Sequence, residues 1–255
     1  RLRPGRASAP TPASTSVAAS RPESRRQLLA QIRDAASSDA VVIGSVEALR
    51  RRRLLFDARE VAQAISALGG RGQWQQAVSL FEELGAGSYG SLAPDAVCHA
   101  AAVAACGRAA QWSSALALLV DTVPRPGVRH GSQVALSEAA CGAAITACGQ
   151  ARRWPLALQC LGWMGGRSLA PNAVCYGAAI SACERGSQAD LALALVREAR
   201  SKGVEPGVVG CSAALMACGR ARQWSRAAEL LEDMVQRDLR PDAICCSTAI
   251  GACGQ

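Results

Sequence analysis

The chain has 255 residues, half of them apolar but only 9 aromatic, with 12 Cys, 2 His and a formal net charge of +8. No uncharged run approaches the roughly 18 apolar residues of a membrane-spanning helix, the Cys content is too low for a disulfide scaffold, and two His leave little for metal or acid–base chemistry. Few large rings are available to fill one globular core, so Ala, Gly, Cys and Leu must do the packing; small residues let helices approach closely, which favours stacked helices.

The charge is uneven. Residues 1–57 hold 11 Arg against 5 acids, whereas residues 58–255 hold 17 Lys and Arg against 15 acids. The bulk of the chain is thus nearly neutral, and attraction to nucleic acid does not follow from the total. Residues 1–23 are rich in Arg, Ser, Ala and Pro, with Glu23 as the sole acid. That is the composition of an organellar transit segment and equally of a disordered linker. A helix is expected from Arg25 to Arg33, with Ser24 as its N-cap, inside an N-terminal helical segment over 24–57. Arg50–Arg53 read as a solvated helix face.

From residue 58 onward the chain repeats itself. Trp74, Trp112, Trp154 and Trp224 are spaced by 38, 42 and 70 residues, the last being two periods of 35 with Ala189 in the skipped place. Upstream of each lies one phrase: Ala105-Cys106-Gly107-Arg108, Ala147-Cys148-Gly149-Gln150, Ala217-Cys218-Gly219-Arg220, and the variant Ala182-Cys183-Glu184-Arg185. The units are 58–95, 96–137, 138–172, 173–207, 208–242 and a truncated 243–255. The expected fold is all-α: an α-α superhelical solenoid of about five 35-residue helix–turn–helix repeats plus the truncated sixth. Helices should break near 107, 149, 184 and 219 within units, and near 94, 171, 206 and 241 between them. The Gly closing each phrase suits a left-handed C-cap. The four Trp should be largely buried between units. The sixth unit breaks off inside its first helix and the chain opens on Arg1, so a longer parent chain is expected.

The Cys pairs fall seven or eight apart, on one helix face, and no CxxC occurs; they read as core residues of a reducing compartment rather than metal ligands. No phosphate-binding loop, nucleophile elbow or paired-His motif is present. The expected protein is no enzyme and has no cofactor, metal or small-molecule substrate. His99 should lie on a helix and His130 in a loop.

The 35-residue period, the Pro-Asp ending and the second-helix patterns of Leu156–Met164 and Arg226–Met234 resemble the pentatricopeptide repeat family. Tetratricopeptide repeats are similar but have 34 residues and another Trp and Pro register. The resemblance covers about 58–255 and implies binding of single-stranded RNA, about one base per repeat, in RNA processing, stability or translation in a chloroplast or mitochondrion. It also implies roles. The second residue of each unit clamps a base: Val97, Val174, Val209 and Ile244 fit, while Ala139 and Arg59 depart. The fifth and last residues read the base edge: Ser212 with Asp242 matches a guanine-preferring pair, and Asn172 and Ser247 offer polar groups. Ala62, Ala100, Gly142 and Gly177 have none, and small residues at the fifth place suit simple packing too. Arg108, Arg185 and Arg220 share one position and would either contact phosphates or complement a helix C-terminus. The neutral array and the Ala and Gly fifth positions also fit a protein-interaction scaffold, with protein partners in place of RNA, and a third reading is the RNA-binding arm of a longer nuclease or editing enzyme.

Overall fold

The computed structural model describes residues 24–34, 37–55, 57–89, 92–121, 136–167 and 169–241, with Ala243, Cys245 and Ser247. His130 and the transit-like segment 1–23 lie outside them. The described residues form twelve helices and no strand. An N-terminal hairpin, α1 (Arg25–Arg33) and α2 (Asp39–Arg51), precedes five more. Their first helices are α3 (Ala58–Gly70), α5 (Ala96–Arg108), α7 (Glu138–Gln150), α9 (Ala173–Arg185) and α11 (Gly207–Arg220). Their second helices are α4 (Trp74–Gly85), α6 (Trp112–Asp121), α8 (Trp154–Gly165), α10 (Ala189–Ser201) and α12 (Trp224–Gln236). The breaks fall at the places the repeat phrase marks.

Each start is set locally. Ser24 closes a capping box with Gln27 at the head of α1. Asp57, Asp95, Ser137 and Asn172, each the residue before a unit, accept a hydrogen bond from a first-turn backbone N–H of α3, α5, α7 and α9. Such caps contribute about 1 kcal/mol apiece. The run of four arginines is only partly a solvated face: Arg50 donates to Ser79 at 2.8 Å and pairs with Glu83 on α4, and so ties the N-terminal hairpin to the first unit.

Each first helix ends in the same way, but not on the glycine of the phrase. Gly107, Gly149 and Gly219 lie inside their helices. The left-handed residue comes three places later, at Gly72, Ala110, Arg152, Ser187 and Arg222, with φ between 56° and 75°. The next amide then reaches back five residues, as Gln111 N–H does to Cys106 O at 2.9 Å and Arg153 N–H to Cys148 O at 2.8 Å. That is the Schellman closure, which satisfies carbonyls a helix end leaves open.

The phrase is instead a packing device. First helices lie side by side in succession, α3 on α5, α5 on α7, α7 on α9 and α9 on α11, whereas among the described residues the backbones of second helices stay farther apart and are bridged by side chains, as Arg200 of α10 does to Asp233 of α12. The tighter spacing puts the first helices on the inner side of the curve. A Cβ on Gly69 would fall 2.5 Å from Ala105 Cβ, and one on Gly149 would fall 3.0 Å from Ala182 Cβ. Glycine at this place lets the alanine of the next phrase sit against backbone. The alanines and cysteines of the phrases, among them Ala147, Cys148, Ala182 and Cys183, are fully buried. Beneath them Ile65, Val103, Ile145, Ile180 and Leu215, one per unit, fill the centre.

The tryptophans divide. Trp74, Trp112 and Trp154 are half-buried, but Trp224 is 59 % exposed, contrary to a uniformly buried stripe. Trp154 lies over the turn of the following unit, where a Cβ on Gly186 would be 2.3 Å from its ring. Trp112 is covered by the Arg153 guanidinium at 5.3 Å. The rings of Trp112 and Trp154 are therefore covered by the unit after their own, and among the described residues no turn covers Trp224.

Candidate nucleic-acid interface

The inner layer exposes few apolar groups, and these share one register. Val97, Val174 and Val209 are the second residues of their units and stand 62 %, 69 % and 74 % exposed. A single exposed valine signifies little; Val174 and Val209 stand on the successive helices α9 and α11, and Val97 holds the same place on α5, with Ala139 of α7 between, so that together they form an apolar row. The Asp95 and Asn172 caps set where the first turns carrying Val97 and Val174 begin, while α11, which carries Val209, starts directly after Pro206. Ile244, next in the series, lies outside the described residues. Between Val174 and Val209 runs a groove of about 440 Å³, lined also by Thr146, Gly177, Ser181 and Arg185. Its floor at Gly177 is open: nothing lies within 4 Å of where a Cβ would stand.

The fifth-position residues sit beneath this row. Ala62, Gly142, Gly177 and Ser212 are buried, Ala100 is half-buried and Ser247 is exposed. The Ser212 hydroxyl donates to Val208 O at 2.7 Å and lies 2.8 Å from Cys245 Sγ of the next unit. Its donor is thus engaged within its own helix. The last-position residues are engaged as well. Asn172 accepts from Cys175 N–H at 3.0 Å through Oδ1, and its Nδ2 donates to Glu138 at 3.2 Å. Asp95 accepts from Cys98 N–H at 2.7 Å. Gly207 has φ 71°, a conformation that excludes most side chains. Asp242 lies outside the described residues. Capping was legible in the sequence as a preference for Asp, Ser and Asn, but its use of both ends of the Asn172 amide was not.

The three equivalent arginines prove unequal. Arg220 pairs with Glu184 at 2.6 Å, where the Glu184 side chain is only 8 % exposed, and also donates to Glu184 O at 3.4 Å. Arg108 extends back over Gly69 and donates to Ser66 O at 3.4 Å. Both therefore sit at the C-terminal end of the preceding unit's first helix, where a cation is favourable. Arg185 is exposed, borders the groove, and has no hydrogen bond or ion pair among the described residues. The reason lies one unit upstream. Arg108 lies against Gly69 and Arg220 against Glu184; at the equivalent place of the unit before Arg185 the residue is Gly149. Glu184 is a functional residue that reading by motif passes over; its only signal is that it breaks the Ala-Cys-Gly phrase.

The ten described cysteines are free and buried. Burial pushes the Cys98 thiol up to about 12, and those of Cys106, Cys141, Cys183 and Cys211 up to about 11. They are protonated near neutrality and poorly nucleophilic. Cys98 Sγ donates to Ala58 O at 3.2 Å, so a thiol also stitches one unit to the previous one. Among the described residues no group of three or more His, Cys, Asp or Glu is placed to hold a metal ion, and no helix is long and apolar enough to cross a membrane. His99 is on α5 and fully buried, with Nε2 3.1 Å from Leu118 O.

Residues 194–255 match the family model described as pentatricopeptide repeat domain. No curated protein matches the chain. Its fold is similar to the crystal structure of the pentatricopeptide repeat protein PPR10 from maize, with a TM-score of 0.60 and 23 % identity over 88 % of this chain and 30 % of that one. It is also similar to PPR10 in complex with an 18-nt psaJ RNA element, with a TM-score of 0.58 and 24 % identity over 88 % of this chain and 31 % of that one. The chain thus spans about 30 % of the length of the protein whose fold it shares. The five hairpins repeat one register of Schellman turns and buried aliphatics; the last of them lies within residues 194–255, which match the pentatricopeptide repeat model, and the chain as a whole is similar in fold to a pentatricopeptide repeat protein.

Proposed function

We propose that the array binds single-stranded RNA along its first-helix face, acting as a binder rather than an enzyme in organellar RNA processing, stability or translation. The observation that carries the reading is the slot between Val174 and Val209, an apolar clamp with an open floor and, at its edge, an arginine with no ion pair among the described residues. A base inserted there contacts aliphatic side chains on both faces, and Arg185 is placed for its phosphate. PPR10, whose fold is similar, has been solved in complex with an RNA element, which supports RNA as the ligand.

In this reading the clamps are Val97, Val174, Val209 and Ile244. Base discrimination is weak. Gly142 and Gly177 offer no side-chain group. Asn172 must leave its cap to reach a base, and Ser212 must leave Val208 O to donate to one. Ser212 with Asp242 remains the pair assigned to guanine, and Ser247 is the polar group of the sixth unit.

Titration of the full chain against pools of single-stranded RNA tests this. Binding is expected in the low-salt range and should weaken as salt rises. The double variant Val174→Ala, Val209→Ala is expected to lose roughly fivefold in affinity, about 1 kcal/mol, with unfolding unchanged because both side chains are exposed. A folded chain with no RNA binding above nonspecific background at low salt overturns the proposal and favours the protein-interaction scaffold. The organellar part rests on the composition of residues 1–23. A reporter fused behind that segment should accumulate in an organelle, and a purely cytosolic reporter would remove that part alone.

A further inference from the structure

We infer that Glu184 silences the backbone contact of unit 208–242, so that RNA is held more weakly, and in a different register of contacts, than the number of equivalent arginines implies. The inference rests on the RNA-binding reading above and deepens it.

The twelfth residue of each unit is Gly69, Gly107, Gly149, Glu184 and Gly219. The glycines serve close helix approach, as the short Cβ distances at Gly69 and Gly149 show. Glu184 alone carries a side chain. It is an acid in the last turn of α9, where a negative charge is disfavoured by the helix dipole, and it is buried, where an unpaired carboxylate is costly. Both penalties are relieved by one partner, Arg220, at 2.6 Å. The arginine is thereby committed: moving its guanidinium to a phosphate would strand the buried Glu184 carboxylate. For Arg185, one unit earlier, the equivalent upstream residue is Gly149, which has no carboxylate to hold it. Two arginines at the same position of consecutive units thus differ in availability because of a residue that neither motif nor charge count singles out. The expected consequence is a strand anchored at Arg185 and loosely held over the next unit.

The test compares RNA affinity and its salt dependence in four variants of the full chain, with thermal unfolding followed for each. Arg185→Ala should weaken binding severalfold and flatten the salt dependence by about 0.7 in the slope of log K against log salt, the amount for one phosphate contact on a single strand. Arg220→Ala should change RNA affinity by less than about twofold. Glu184→Ala should strengthen binding severalfold and steepen the slope by about 0.7. Arg220→Ala in the Glu184→Ala background should abolish that gain, which separates a released arginine from mere removal of a negative charge. Glu184→Gln, which keeps the side-chain volume, should fall between wild type and Glu184→Ala. An unchanged slope in Glu184→Ala, or a loss in Arg220→Ala equal to that in Arg185→Ala, overturns this inference while RNA binding by the wild type stands. Failure of wild type and Glu184→Ala alike to bind RNA overturns the RNA reading and this inference together.

Discussion

Trp154→Ala is expected to cost the array about 3 kcal/mol, the low end for truncating a tryptophan because the ring is half-buried. Its neighbour across the unit boundary is Gly186, which approaches so closely that a Cβ there would overlap the ring. Removing the indole opens a gap between the head of α8 and the turn after α9, and a turn held by its Schellman bond cannot collapse to fill it. Trp224→Ala, at the same place in its own unit, should cost less than about 1 kcal/mol, because 59 % of that residue is already exposed. Urea unfolding of the two variants beside wild type reads the difference directly. Equal losses would mean that each ring is buried by its own hairpin rather than by the next unit.

Gly69→Ala is the second large effect, and it comes from adding one methyl group. The new Cβ would stand 2.5 Å from Ala105 Cβ and 2.8 Å from Ala105 Cα. The second of these is backbone, so no rotamer change relieves it and α3 must move away from α5. Overpacking of this kind costs about 3 kcal/mol, against a gain of about 1 kcal/mol in helix propensity. A net loss of about 2 kcal/mol is expected. Gly162→Ala in α8 supplies the contrast: it is exposed, nothing lies within 4 Å of its Cβ site, and it should gain up to about 1 kcal/mol. Thermal unfolding of both variants checks the pair. Stabilisation by both would show that the glycines of the phrase are tolerated rather than required for close approach.

These two contrasts also mark how much the sequence by itself determined. The five hairpins, their starts and their ends follow from local chemistry: a capping Asp, Ser or Asn before four of the five first helices, a Pro before α5, α9 and α11, and a period near 35. Such signals act within a few residues, so a linear reading captures them. The row of Val97, Val174 and Val209 was legible for the same reason, because position within a helix decides which way a side chain faces the inner layer.

What tertiary structure decided depends on the adjacent unit. The phrase glycine reads as a helix stop when only its own chain is considered; its purpose appears when Ala105 and Ala182 are seen against Gly69 and Gly149. Trp154 and Trp224 have the same local setting and differ in what covers them. Arg185 and Arg220 have the same local setting, but only Arg220 meets a carboxylate, that of Glu184; the equivalent residue upstream of Arg185 is Gly149. Ser212 and Asn172 present polar groups in the sequence, yet Val208, Cys245, Cys175 and Glu138 occupy those groups in the fold. In a solenoid every unit is completed by its neighbours across a gap of about 35 residues in sequence. Helix formation is a short-range event and shows in the pattern, whereas burial, pairing and availability for a ligand are settled at the contact between units.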